Sequence, residues 1–148
     1  MGVSSQKVTV VVMSKYNYRN ICRALFVLYV AVLAFLCFGN FKSMPDVPRC
    51  LFGIPMDKVV HFAMYLPFVP LGYLSFGPGR NRNAGVRIAA VALALIAGIA
   101  LGAGVELLQG LTEYRSCDVA DWYADALGAC VGALAIPFVS VLIARKNG

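Results

Sequence analysis

Charge is scarce in this chain, and the common metal and nucleophile motifs are missing from it. Asp, Glu, Lys and Arg make up only 14% of its 148 residues, with a single histidine and a single tryptophan. A soluble domain carries about 25% charged and about 45–50% apolar residues, whereas 60% of this chain is hydrophobic. A soluble globule of this size has too few charges to cover that much apolar surface; lipid covers it readily. The five cysteines form no CxxC or CxxxC pair and no HExxH run occurs, so no motif predicts a metal or a cofactor. The net charge of +6 is spread in short clusters between apolar runs. Without one continuous basic face, no nucleic-acid partner is expected.

What remains is four apolar segments. They run from about Ala24 to Phe38, Val59 to Phe76, Ile88 to Val105 and Trp122 to Ile143. About 20 residues of helix span a hydrocarbon core, and β-barrel strands would alternate in shorter segments. The expectation is an all-α integral membrane bundle of four transmembrane helices, at about 21–40, 57–76, 87–110 and 121–143. Residues 1–20 then form an N-terminal cytoplasmic segment and residues 21–148 the membrane domain. The first helix is expected to be retained, because "FLCFGN" after it offers no small-x-small cleavage site. Met13 is a second candidate start. Pro67 and Pro70 are expected to bend the second helix.

Orientation follows from the basic residues. The N-terminus, the loop 77–87 and the C-terminus hold Lys7, Lys15, Arg19, Arg23, Arg80, Arg82, Arg87, Arg145 and Lys146 and no acid. The opposite side holds Lys42, Arg49, Lys58 and Arg115 with every acid of the chain. The positive-inside rule predicts cytoplasmic N- and C-termini and an external acidic end. There, Cys50 and Cys117 are expected as loop thiols, with a disulfide between them as the alternative.

The acids also have helical spacing. Ala90, Ala94, Gly98, Gly102 and Glu106 recur every four residues, and Gln109 follows on nearly the same face. Asp118, Asp121, Asp125, Gly128 and Gly132 share a second face. Small residues in such stripes let membrane helices approach closely, so Glu106 and Asp125 are expected to point into the bundle. On the second segment, Asp57 and Lys58 stand four and three residues before His61, within reach of it. One reading is a salt-bridge and capping network, with Asp57, Asp118 and Asp121 at helix N-termini and Arg115 pairing with Glu106 or Asp121. The other is a functional site, since five acids outnumber Lys58 and Arg115. That excess would attract a cationic ligand or divalent metal, or tune a carboxylate for acid–base work. Trp122 and Tyr123 read as interfacial anchors.

The runs "DKVVHF" (57–62), "ELLQGL" (106–111) and "RSCDVADWYADALGACVG" (115–132) resemble the motifs of the VanZ-like family. Asp57, Lys58, His61, Glu106, Gln109, Arg115, Asp121, Ala124, Gly128 and Gly132 match its pattern, and Asp125 stands where the family commonly has Asn. The resemblance implies a bacterial, multi-pass protein of the cytoplasmic (inner) membrane, in a family associated with low-level resistance to the lipophilic glycopeptide teicoplanin.

The leading function expected is that of a cell-envelope protein. Its external site, made of Asp57, Lys58, His61, Glu106, Gln109, Arg115, Asp118, Asp121 and Asp125, would bind or modify a lipid-linked envelope precursor or lipophilic molecule. Membrane lipids are the surrounding partners. The alternative is a membrane hydrolase or transferase acting on a lipid phosphate. In it His61 or Glu106 is the base, Asp57 or Asp121 orients the histidine, and Arg115 or Lys58 holds the anion, so His61, Glu106 and Asp121 are the catalytic candidates. A non-catalytic structural subunit is a further alternative. A transporter fits less well, because the third segment has no charge near its middle.

Overall fold

The computed structural model describes residues 3–39, 50–79, 82–112 and 117–146, with side chains described for 18–39, 50–79, 82–112 and 117–137. Lys42, Asp46, Arg49, Arg80, Glu113 and Arg115 lie outside the described residues. The elements are α1 (Val3–Phe38), a hairpin of β1 (Cys50–Leu51) and β2 (Ile54–Pro55), α2 (Met56–Tyr65), α3 (Phe68–Phe76), α4 (Ala84–Gln109) and α5 (Val119–Lys146). Four spans are long and apolar enough to cross a membrane: Tyr18–Phe38, Met56–Phe76, Ala84–Gln109 and Val119–Pro137. This is the expected four-helix membrane bundle.

The element ends differ from expectation for local reasons. α1 begins at Val3, not near residue 21. No proline or glycine interrupts residues 3–20, so nothing stops the helix once formed. α4 begins at Ala84 because the Asn83 side chain accepts from the Val86 N–H at 2.9 Å, an N-cap bond. The short hairpin was not expected. It pairs Cys50 with Pro55 and Leu51 with Ile54, around a two-residue turn with positive φ at both Phe52 (50°) and Gly53 (81°). Twist favours that turn geometry in hairpins, but a phenylalanine in it is unusual.

The second span breaks at Leu66–Pro67 into α2 and α3. Neither Pro67 nor Pro70 has an N–H, so the Ala63 and Leu66 carbonyls lose their helical donors. α5 packs against this break. A Cβ at Gly132 would collide with the Leu66 carbonyl, and one at Gly128 with the Phe62 carbonyl. Only glycine permits that approach.

Two small cores hold the helices together. Leu33, Cys37, Tyr65 and Val105 form one; Phe68, Val69, Ala129 and Ile136 form the other, with Phe26 packed edge-on to Phe68. Large apolar side chains such as Ile21, Phe35, Leu93, Ile96, Leu127 and Leu134 face outward. Such a surface is unstable in water and natural in lipid. At one end of the bundle, Arg23 Nε donates to the Ser75 carbonyl (3.3 Å), so the start of the first span meets the end of α3. Arg82 and Arg87 follow at the same end, after the short α3–α4 connection. The acids among the described residues gather at the other end.

Candidate functional site

The acidic end is built by α2, the end of α4 and the start of α5. α5 starts where it does because the Asp118 carbonyl accepts from Asp121 N–H (2.9 Å) and its carboxylate Oδ1 accepts from Ala120 N–H (2.8 Å). Asp118 is thus the N-cap. Its own N–H donates to Glu106 Oε2 (3.1 Å), which ties the end of α4 to the start of α5. The Trp122 indole N–H donates to the Ile99 carbonyl (3.1 Å). Trp122 therefore joins α5 to α4 as well as standing at the end of its helix.

Depth grades the polar residues. Side-chain exposure falls from 51% at Asp57 and 44% at Asp118, through 24% at Lys58 and 13% at Asp121, to 5% at His61, 4% at Glu106 and zero at Asp125. The result is a funnel-like gradient of polar side chains, from an exposed rim to a buried floor at one end of the bundle.

At the rim, Lys58 Nζ lies 2.8 Å from Asp118 Oδ2, 2.9 Å from Asp121 Oδ1 and 3.5 Å from Asp57 Oδ2. The Lys58 ammonium first, and the Ala120 N–H second, hold the Asp118 carboxyl below its ordinary range. Asp57 sits in the first turn of α2, whose N-cap residue, Pro55, makes no side-chain cap bond.

On the floor, His61 Nδ1 is 3.0 Å from Asp125 Oδ1. With Asp125 ionised, its carboxylate only accepts, and the His61 tautomer that fits this contact carries its proton on Nδ1. Glu106 Oε1 lies 3.8 Å from His61 Nδ1 and Asp121 Oδ2 lies 3.9 Å from Nε2. Both are too long for hydrogen bonds. Glu106 Oε1 and Asp125 Oδ2 are buried without a hydrogen-bond partner among the described residues, as is the Tyr65 hydroxyl. Gln109 Nε2 donates to the Cys37 carbonyl (2.7 Å), which fixes α4 to α1.

The structure thus brings together Asp57, Lys58, His61, Glu106, Asp118, Asp121 and Asp125. Gln109 is buried nearby, but its amide is engaged with α1. Arg115 lies outside the described residues. Of the acids, Asp125 on the opposite helix is the one within hydrogen-bond distance of His61; Asp121, expected as one orienting acid, lies 3.9 Å from Nε2, and Asp57, expected as the other, stands on the rim beside Lys58. Sequence reasoning placed Gly102 on an inward close-packing stripe but missed Tyr29 as a supporting residue. Gly102 leaves room for Asp125, since a Cβ there would lie 3.0 Å from Asp125 Oδ2. The Tyr29 hydroxyl donates to the Met64 carbonyl, and no local pattern signals such a contact. Cys50 and Cys117 are both exposed free thiols. A separate apolar groove of about 230 Å³, lined by Phe26, Phe68, Tyr73, Phe76 and Leu93 among others, lies toward the arginine-bearing end. It takes no part in the polar site.

Fold and site together define a multi-pass membrane protein with an ionisable funnel at one end of its helix bundle. The VanZ/LLP1 family model matches residues 8–140, and the chain belongs to that family. No curated protein and no solved structure matches it.

Proposed function

We propose that this VanZ-family protein lies in the cytoplasmic membrane of a bacterium with both termini inside. Its funnel faces outward and binds or modifies a lipid-linked or lipophilic envelope molecule, which changes sensitivity to lipophilic glycopeptides such as teicoplanin. The Lys/Arg asymmetry supports the orientation. The depth gradient carries the functional reading: a buried His61–Asp125 pair beside the buried Glu106, reached through a hydrated rim. An ionisable side chain costs about 2.5–3.5 kcal/mol at a membrane-helix centre and less near the interface, and a bundle held only by packing does not need three of them. A polar headgroup would enter the funnel while its apolar chains stay against the outward-facing helices.

The test is teicoplanin sensitivity in a susceptible strain expressing the chain. Wild type is expected to shift it, and Glu106→Gln, Asp121→Asn and Arg115→Lys to abolish the shift at equal membrane abundance. Three variants that each behave as wild type would sink the reading.

One observation favours a second reading, a hydrolase or transferase acting on a lipid phosphate. The 3.0 Å His61–Asp125 contact is how a general base is oriented, with Nε2 left as the accepting atom. Lys58 is already engaged by three carboxylates, so Arg115 is the better candidate for the phosphate. Release of phosphate from a detergent-solubilised lipid phosphate by wild type, and its loss in His61→Gln, checks this reading.

A further inference from the structure

Two groups of ligating side chains meet at Asp121, and they differ in what lies between them. The outer group, Asp57, Asp118 and Asp121, surrounds the Lys58 ammonium, with each carboxylate within 3.5 Å of it. That position already holds a cation. In the inner group, His61, Glu106 and Asp121 each bring one donor atom within 4.8 Å of the others. Among the described residues, no lysine or arginine enters this space.

Two independent observations point to a ligand in the inner group. Glu106 Oε1 belongs to a side chain only 4% exposed, has no hydrogen-bond partner among the described residues, and lies 3.8 Å from His61 Nδ1, at the edge of the imidazole. An unpartnered carboxylate oxygen at that depth is costly unless something neutralises it. The other observation concerns the imidazole. In the tautomer whose Nδ1–H donates to Asp125 Oδ1 across 3.0 Å, Nε2 keeps its lone pair, with Asp121 Oδ2 3.9 Å away. A carboxylate behind a histidine that offers its other nitrogen is the usual outer support of a metal ligand.

We propose that His61, Glu106 and Asp121 bind one divalent transition-metal cation of the zinc or manganese class, with Asp125 as the positioning residue behind the histidine. One imidazole and two carboxylates suit such ions better than a soft, thiolate-seeking one. Two carboxylate charges match the charge of the ion. Ligands about 2.0–2.1 Å from zinc stand about 3.4 Å apart at a tetrahedral angle, so Asp121 closes on Nε2 by about half an ångström and Glu106 Oε1, which rests nearer Nδ1, turns toward the Nε2 side. Asp121 uses Oδ1 for Lys58 and Oδ2 for the inner side, and so joins the rim to the metal. Three protein ligands leave a coordination position open, as binding and catalytic sites do and structural sites do not. An anionic headgroup oxygen fits that position. Metal binding stands apart from the identity of the envelope molecule: occupancy is read on the purified chain, drug sensitivity in cells.

The experiment uses the full chain in detergent, with Cys50→Ser, Cys117→Ser and Cys130→Ser to remove the exposed thiols that themselves take zinc. After chelator treatment and desalting, calorimetric titration with Zn²⁺ is expected to saturate at one ion per chain, and Mn²⁺ to compete. His61→Ala and Glu106→Gln are expected to weaken binding at least tenfold with helix content unchanged. Asp125→Asn is expected to weaken it about 10–100-fold, as loss of an outer-shell partner does. Should these variants not fold, the Mn²⁺ electron paramagnetic resonance signal of the otherwise unaltered chain decides, broadening saturably at one equivalent. No saturable binding of either ion, or binding that survives His61→Ala and Glu106→Gln, overturns the proposal.

Discussion

Lys58 and His61 stand three residues apart on α2 and gather acids in opposite ways. The Lys58 ammonium has two carboxylate oxygens within 2.9 Å and a third at 3.5 Å, at a rim where Asp57 and Asp118 are about half exposed. The His61 imidazole has one close carboxylate, Asp125, and two others held near 4 Å. The rim cluster is compensated and wet; the floor cluster is buried and leaves carboxylate oxygens unpartnered. Exposed ion pairs contribute about 0–1 kcal/mol, whereas removing one partner from a buried pair costs about 3–5 kcal/mol. The same acids therefore have different roles at the two depths. The rim stabilises little, and the floor is the costly feature of the two.

The largest expected effect comes from breaking the floor. Asp125→Ala leaves His61 buried without its partner and is expected to destabilise the bundle by about 3–5 kcal/mol, read as a lower thermal midpoint in detergent. A change under about 1 kcal/mol would erase the distinction between the clusters. Next is Gly102→Ala, whose added Cβ would lie 3.0 Å from Asp125 Oδ2 and 3.2 Å from Asp125 Cβ. Overpacking of this kind costs about 1–3 kcal/mol. Gly104, two residues further along α4 and on the other side of the helix, has nothing within 4 Å of an added Cβ. Gly104→Ala is expected to be neutral or slightly stabilising, through helix propensity. Equal effects at the two glycines would show that the floor is not closely packed. Lys58→Met comes third, at about 1 kcal/mol or less, because water screens the rim.

Much of this contrast is legible in the sequence, and the missing part has a physical cause. The spans are visible because runs such as Ile88–Val105 carry no charge, and the inward faces because Gly98, Gly102 and Glu106 share a helical stripe. All three are buried. Pairing across helices is not visible. Spacing on α2 offers His61 the nearby Asp57, but its close partner is 64 residues further along the chain. A helical repeat says which side chains share a face. It does not say how far one helix is shifted along another, and that shift puts Asp125 rather than Asp121 level with Nδ1. The hairpin at Cys50–Pro55 was hidden for a different reason: its turn is Phe52–Gly53, without the Asn-Gly or Asp-Gly signal that marks such turns.

The smallest expected effect isolates charge at the rim. Asp118 caps α5 through Oδ1 and meets Lys58 through Oδ2. Asn keeps an oxygen for the cap and loses the charge, so Asp118→Asn removes the ion pair while α5 still starts at the same place. The Asp118 carboxyl is held below its ordinary value of 3.8, chiefly by Lys58. A depressed folded value means that the charged form stabilises the fold above the unfolded pKa, and that the gain disappears as pH falls through the folded value. Wild type should therefore melt slightly above Asp118→Asn at pH 7. That gap should stay constant down to about pH 5 and close on further acidification, as the unfolded and then the folded carboxyl protonates. Asp125→Ala supplies the contrast: its deficit comes from a lost partner on the floor, where Asp118 makes no side-chain contact, and it should persist when the Asp118 gap has closed. A gap at Asp118 that is as large as the Asp125 deficit, or that ignores pH, would mean that the rim and the floor are one electrostatic unit.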